Sequence, residues 1–181
     1  MFFCVNLKSG SHDFLSDNLS WNTNTTSIVK RAYKRMTLIN KLYEFNVPIK
    51  DLLQIYYLYI RSILEQSCVV WASALTQGEI RQIERVQKVA LKNILKEKYH
   101  SYEKALQLTN ITTLQERRNK LMLSFAKKCS ENAKTKHMFP KNEKITNTRI
   151  SEKYKIPHCN TERLRKSAIP SMARILNEND W

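Results

Sequence analysis

Arg81, Arg85, Lys88, Lys92 and Lys96 recur every three or four residues through the stretch RQIERVQKVALKNILK. On an α-helix that spacing gathers all five into an arc of about 80° and strings them over about 22 Å. A row of this kind can hold successive phosphates of a polyanion, chemistry that needs charge at a fixed pitch and no acid, base or metal. The competing reading is a solvated helix face. Against it, like charges at i,i+4 destabilise a helix rather than support it. A second cluster, Lys30, Arg31, Lys34, Arg35 and Lys41, falls within an arc of about 140° on an earlier segment, opposite its apolar side.

Other chemistries lack their residues. Two-metal nucleotidyl transfer needs carboxylates a few ångströms apart, and the only aspartates are Asp13, Asp17, Asp51 and Asp180, none adjacent to another. No P-loop, GxSxG or HExxH pattern is present. The cysteines, at 4, 68, 129 and 159, have no CxxC spacing, which favours free thiols in a reducing compartment over a metal site. A metal-dependent nuclease using His137, His158 and Cys159 is the weakest alternative, and no catalytic residue, cofactor or metal is expected.

Three residues are expected to be structural. Glu65 stands between apolar blocks in SILEQSCVVW, yet helical geometry turns it to the polar stripe with Lys50, Asp51, Gln54 and Arg61. An i,i+4 ion pair with Arg61 is the ordinary reading, worth a few tenths of a kcal/mol. Trp71 falls on the apolar face of the same segment. Arg118 projects among Leu114, Leu121, Met122 and Phe125, where a guanidinium needs a partner; Glu84, Glu103 and Glu65 are the candidates, and phosphate binding is the other reading.

The elements that would position these residues are helical. Two glycines in 181 residues, and long segments rich in Leu, Ile, Lys and Glu, give few of the turn signals a sheet requires. The pattern predicts an all-α bundle of four to five helices with an irregular basic C-terminal segment. The expected division is 1–24 as a turn segment and remnant of a preceding domain, 25–135 as the bundle, and 136–181 as the extension. MFFCV is the one strand-like piece. Helices are expected over 25–45, over 48–74 behind Pro48, over 76–96 behind the capping-box pattern Thr76-Gln77-Gly78-Glu79, over 101–108, and over 113–132 behind Thr113-Leu114-Gln115-Glu116. Shorter turns are expected at 161–166 and 170–176.

Thirty-one Lys and Arg against sixteen Asp and Glu leave a formal charge of +15. Nucleic acid leads as the partner, although acidic membrane surfaces and acidic proteins would also be drawn to such a charge. The charge is organised: Lys50 and Arg61 are balanced by Asp51 and Glu65 across 47–75, while every segment from 76 onward is basic. A neutral, apolar helix flanked by basic ones reads as a central rod. Arg61 and Glu65 interrupt the longest apolar run, so no membrane span is expected, and MFFCVNL lacks the basic start of a signal peptide. An exposed aromatic face at Tyr56, Tyr57 and Tyr59 would suit the alternative of a helical protein-interaction module, or of a non-functional fragment that needs a missing domain in order to fold.

The order of motifs resembles the region downstream of the polymerase palm in reverse transcriptases of non-LTR retrotransposons, the jockey-like and related LINE elements. DNLSWN leads into a basic helix, Lys30-Arg31-Ala32-Tyr33-Lys34-Arg35. An Ile60-Arg61-Ser62-Ile63-Leu64-Glu65-Gln66 helix follows with Val70-Trp71, then Ile83-Glu84-Arg85-Val86-Gln87, Ser101 to Leu106, Leu114 to Arg118, and finally TERLRKSAIP. None of these is specific alone; their order is, and it runs from about residue 17 to 177. Gln66 stands where the family carries an aromatic. The resemblance implies a helical thumb and post-thumb region lying against a template and primer duplex, a nuclear setting, and a C-terminal fragment whose partners include the missing palm and fingers that hold the catalytic aspartates. By that reading the chain is not an enzyme by itself.

Overall fold

The computed structural model describes residues 20–142 and 153–179. The strand-like MFFCV, Cys4, Asp13, Asp17, Asp180 and most of the 1–24 segment lie outside them. Among the described residues there is no β-strand, only an isolated antiparallel bridge between Lys141 and Tyr154, and the chain is all-α. The helices are α1 (Asn22–Glu44), α2 (Ile49–Ile55), α3 (Ser62–Glu65), α4 (Cys68–Trp71), α5 (Gln77–Leu95), α6 (Tyr102–Thr109), α7 (Leu114–Glu131), α8 (Glu162–Arg165) and α9 (Ala168–Glu178). That exceeds the four to five expected.

The excess has two sources. The first is the rod expected to run unbroken over 48–74. A π-helical stretch, Tyr56–Arg61, joins α2 to α3, and Ser67, at φ 50°, then turns left-handed and stops the rod. An L-residue adopts that conformation at a cost of about 1 kcal/mol. Here Trp71, fully buried, donates its indole N–H to the Gln66 carbonyl at 2.9 Å, satisfying a carbonyl that a helix end leaves open. The break also re-aims α4, so Val70 is 42% exposed although an unbroken helix would place it inward. The second source is the C-terminal segment, which is more regular than expected: α9 packs on α7, and Met172, Ala173 and Leu176 share a small core with Met122, Ala126, Phe139 and Tyr154.

The main core holds Ile28, Ala32, Met36 and Ile39 of α1, Leu52, Tyr56, Ile60 and Leu64 of the central rod, and Ile83, Val86, Leu91 and Ile94 of α5. Tyr56 therefore belongs to the core and not to an exposed aromatic face; Tyr59 alone of the three tyrosines is strongly exposed. Helix starts follow their local chemistry. Thr76 and Glu79 form a complete capping box, with the Thr76 N–H donating to the Glu79 carboxylate at 2.7 Å and the Glu79 N–H donating to Thr76 Oγ1 at 3.3 Å. Ser101, Thr113 and Thr161 each cap the helix behind them through the side-chain oxygen.

Candidate nucleic-acid interface

α1 and α5 lie side by side and run in the same direction. Near their N-termini, Lys30, Tyr33 and Lys34 line a groove with Gln82. Near their C-termini, the Lys96 ammonium sits 4.9 Å above the Tyr43 ring, a cation–π contact of the ordinary kind. Lys30 and Lys34 thus stand exposed beside the first turns of α5, and Lys41 is exposed farther along α1. All of Arg81, Arg85, Lys88, Lys92 and Lys96 are exposed.

Among the described residues no carboxylate forms a direct ion pair with this row, although Glu84 lies among its cations and Glu103 feels the charge of Lys88. The ion pairs of the described residues lie elsewhere, Arg61 and Arg117 with Glu65, and Arg165 and Lys166 with Glu162. Two of the ten expected cations are engaged differently from the rest. Arg35 donates Nη1 to the Tyr59 carbonyl at 3.1 Å, tying α1 to the π-helical stretch. Arg31, one turn earlier on the same flank, is half-buried with Nε and Nη2 out of water and without a hydrogen-bond partner. Both lie toward one edge of the predicted arc, where α1 meets the central rod.

The inner side of α5 carries a chain of polar groups. Tyr56 donates its hydroxyl to Gln87 Oε1 at 2.6 Å, and Gln87 Nε2 donates to Tyr102 Oη at 2.9 Å and to the Thr112 carbonyl at 3.0 Å. The Tyr102 hydroxyl in turn donates to Glu84 Oε1, which also accepts from the Leu114 N–H. Burial raises the pKa of both Tyr56 and Tyr102, and the Glu84 carboxylate adds to the effect at Tyr102. Neither phenol ionises near neutral pH. The chain locks α6 and the start of α7 to α5, and so fixes what stands beside the basic row. Gln87 is the residue the sequence reading missed. Its signal was available: a polar side chain one turn from both Ile83 and Leu91, on the buried stripe of α5.

Trp71 and Arg118 are buried as expected, and Glu65 is more deeply placed than expected. Glu65 lies on the polar stripe, yet its side chain is only 15% exposed because it accepts from Arg117 Nε at 3.2 Å as well as pairing with Arg61 at 3.4 Å. Its i,i+4 partner is the one expected; the second, 52 positions away along the chain, is not. Arg118 is 3% exposed. Burial pulls its pKa below the ordinary value, and Glu84 is the largest opposing influence, ahead of Cys68 and Glu65. None of the three candidate acids forms an ion pair with it: Arg118 Nη1 and Nη2 are buried without a hydrogen-bond partner, and Glu84 acts on it only through its charge. Cys68 is buried, which pushes its thiol up to about 11, helped by Glu65.

Among the described residues no group of His, Cys, Asp and Glu could hold a metal ion, and no helix is long and apolar enough to cross a membrane. Against known proteins, no family model matches the chain, and neither a curated protein nor a solved structure matches it.

Proposed function

We propose that this chain is a sequence-independent nucleic-acid-binding module that grips the phosphate backbone and has no catalytic activity of its own. The observation that carries the reading is the exposed row Arg81, Arg85, Lys88, Lys92 and Lys96, without a direct ion pair among the described residues and with Lys30 and Lys34 of a parallel helix beside its first turns. Contacts of this kind position a protein on nucleic acid without reading bases. The resemblance of the motif order to the thumb and post-thumb region of non-LTR reverse transcriptases supports the same reading. It makes the palm and fingers of a full-length element further partners, and the nucleus the place of action.

Affinity for duplex DNA or an RNA:DNA hybrid is measured by fluorescence anisotropy across a salt series. The expected result is a steep linear fall of log affinity with log salt. Replacing Arg85, Lys88 and Lys92 by Gln lowers that slope by about three units if each covers one phosphate. A flat salt response overturns the proposal.

A second reading, a helical interaction module that docks on a polymerase domain, draws on a different surface. Leu58 is 66% exposed and Tyr59 48% on the π-helical stretch, and Phe45 is 79% exposed after α1. Analytical ultracentrifugation separates the two: a monomer with salt-steep DNA binding supports the first, a self-associating chain without it the second.

A further inference from the structure

The basic row is also one wall of a groove between α5 and α6. Arg81, Arg85, Lys88 and Lys92 line it together with Tyr99 and Tyr102, and it encloses about 590 Å³. That is in the range of pockets that take a small-molecule-sized group. A nucleotide or two fits such a space; a double helix does not.

What the groove offers besides charge is aromatic carbon. Lys96, with φ 48° and ψ −114°, bends the chain sharply at the end of α5, and after the single 3-10 turn Lys96–Lys98 the Tyr99 N–H returns to the Lys96 carbonyl at 3.0 Å. The bend brings Tyr99 back beside the row. Its hydroxyl is buried and has no hydrogen-bond partner, so the side-chain surface that Tyr99 presents to the groove is carbon. Tyr102 is held rigid from below by Glu84 and Gln87. Glu84 also borders the groove: its Oε1 accepts from Tyr102 and Leu114 and its Oε2 is out of water, so the four cations of the wall outnumber it and stand more exposed than it does.

Cations at a helical pitch next to an apolar aromatic surface are the parts of a single-strand site, where phosphates follow the charges and bases lie on the rings. The geometry points to this groove as a binding site for unpaired nucleotides, with a base stacked on Tyr99 and its flanking phosphates on Arg85, Lys88 and Lys92. The inference rests on the backbone-binding reading above and adds to it a preference for single strands.

The test compares the full chain binding to three fluorescein-labelled probes, each at low and at physiological salt: an oligothymidylate, an abasic backbone of the same length, and a polyglutamate peptide of the same charge. Stacking predicts that the oligothymidylate binds about 5- to 150-fold more tightly than the abasic strand, the range of one stacked base. Tyr99→Ala removes the difference while leaving abasic binding unchanged. Tyr99→Phe, which keeps the ring and discards an unpartnered hydroxyl, retains it. Equal binding of the thymidylate and abasic strands overturns the stacking site and leaves backbone binding standing. Polyglutamate bound as tightly as the thymidylate overturns it in favour of an acidic peptide. Salt-insensitive binding of both strands removes the backbone reading itself. Thermal melting of each variant accompanies the titrations, and the wild-type comparison of the two strands decides the matter even where Tyr99→Ala loosens the fold.

Discussion

The two sides of α5 carry polar residues under opposite rules. On the inner side Gln87 is fully buried and both ends of its amide are bonded, to Tyr56 on one end and to Tyr102 and Thr112 on the other. On the outer side five cations within four turns have no acid partner among the described residues. A buried polar group must be satisfied inside the protein because water cannot reach it. Surface cations are satisfied by water, and nothing in the fold needs them adjacent. The difference teaches that the inner residues are kept for stability and the outer ones for something outside the chain. Substitutions on the two sides should therefore move stability in opposite directions.

The largest expected effect is on the inner side. Gln87→Leu conserves approximate size but strips the partners from the Tyr56 hydroxyl and the Thr112 carbonyl, while the Tyr102 hydroxyl keeps Glu84. Each buried group left unpaired costs about 1–3 kcal/mol, and partial recovery by water at the α6 side puts the total at about 3 kcal/mol. Urea denaturation measures it. A loss below about 1 kcal/mol would show that the chain of hydrogen bonds is ornamental, and the contrast between the two sides of α5 would fall.

Next in size is Glu65, where the inner rule extends to the central rod. Glu65→Ala leaves Arg61 and Arg117 facing each other without the shared carboxylate. Breaking a fully buried pair costs about 3–5 kcal/mol; Arg117 is 39% exposed and Arg61 24%, so solvent screening reduces this to about 2 kcal/mol. Because Glu65 itself is shielded, the loss should persist at high salt. Denaturation midpoints with and without added salt check this. A loss that salt abolishes would class the cluster with ordinary surface pairs.

What was legible in the sequence divides along the range of the interactions. The caps at Thr76 and Thr113 and the row from Arg81 to Lys96 depend on residues three or four apart, and they stand in the structure where the spacing put them, while Ser101 and Thr161 cap helices that were expected without reference to a cap. The Arg61–Glu65 pair was legible for the same reason. The break at Ser67 was not, because serine has no particular preference for φ 50° and the indole that covers the break must first be folded back onto Gln66. Arg117 on Glu65 and Gln87 under Tyr56 are contacts between distant segments, and helical periodicity says which side a residue takes but not which segment it meets there. The groove beside Tyr99 depends on the left-handed turn at Lys96, which no residue type announces. The split of Arg31 and Arg35 from the α1 lysines has the same origin: an arc of charge looks continuous on a wheel until a neighbouring rod occupies one edge of it.

The smallest expected effect has the opposite sign and completes the contrast. Replacing Arg85, Lys88 and Lys92 by Gln removes the like-charge neighbours Arg81/Arg85, Lys88/Lys92 and Lys92/Lys96, each worth about 0.2–0.5 kcal/mol of repulsion at i,i+4. Gln is nearly as good a helix former as Arg or Lys, so propensity changes little and the variant should be more stable than the parent by about 1 kcal/mol at low salt. The gain should fade as the Debye length falls from about 30 Å at 0.01 M to about 3 Å at 1 M, whereas the Glu65 loss should stay. Thermal melting of both variants at the two ionic strengths measures the pair of responses in one experiment. If the triple variant instead loses stability, the row is engaged in contacts that hold α5 in place, and its charges are not free for a phosphate backbone. If it gains stability at low salt while its affinity for DNA drops, the row costs the fold stability and serves binding, as residues kept for an external partner should.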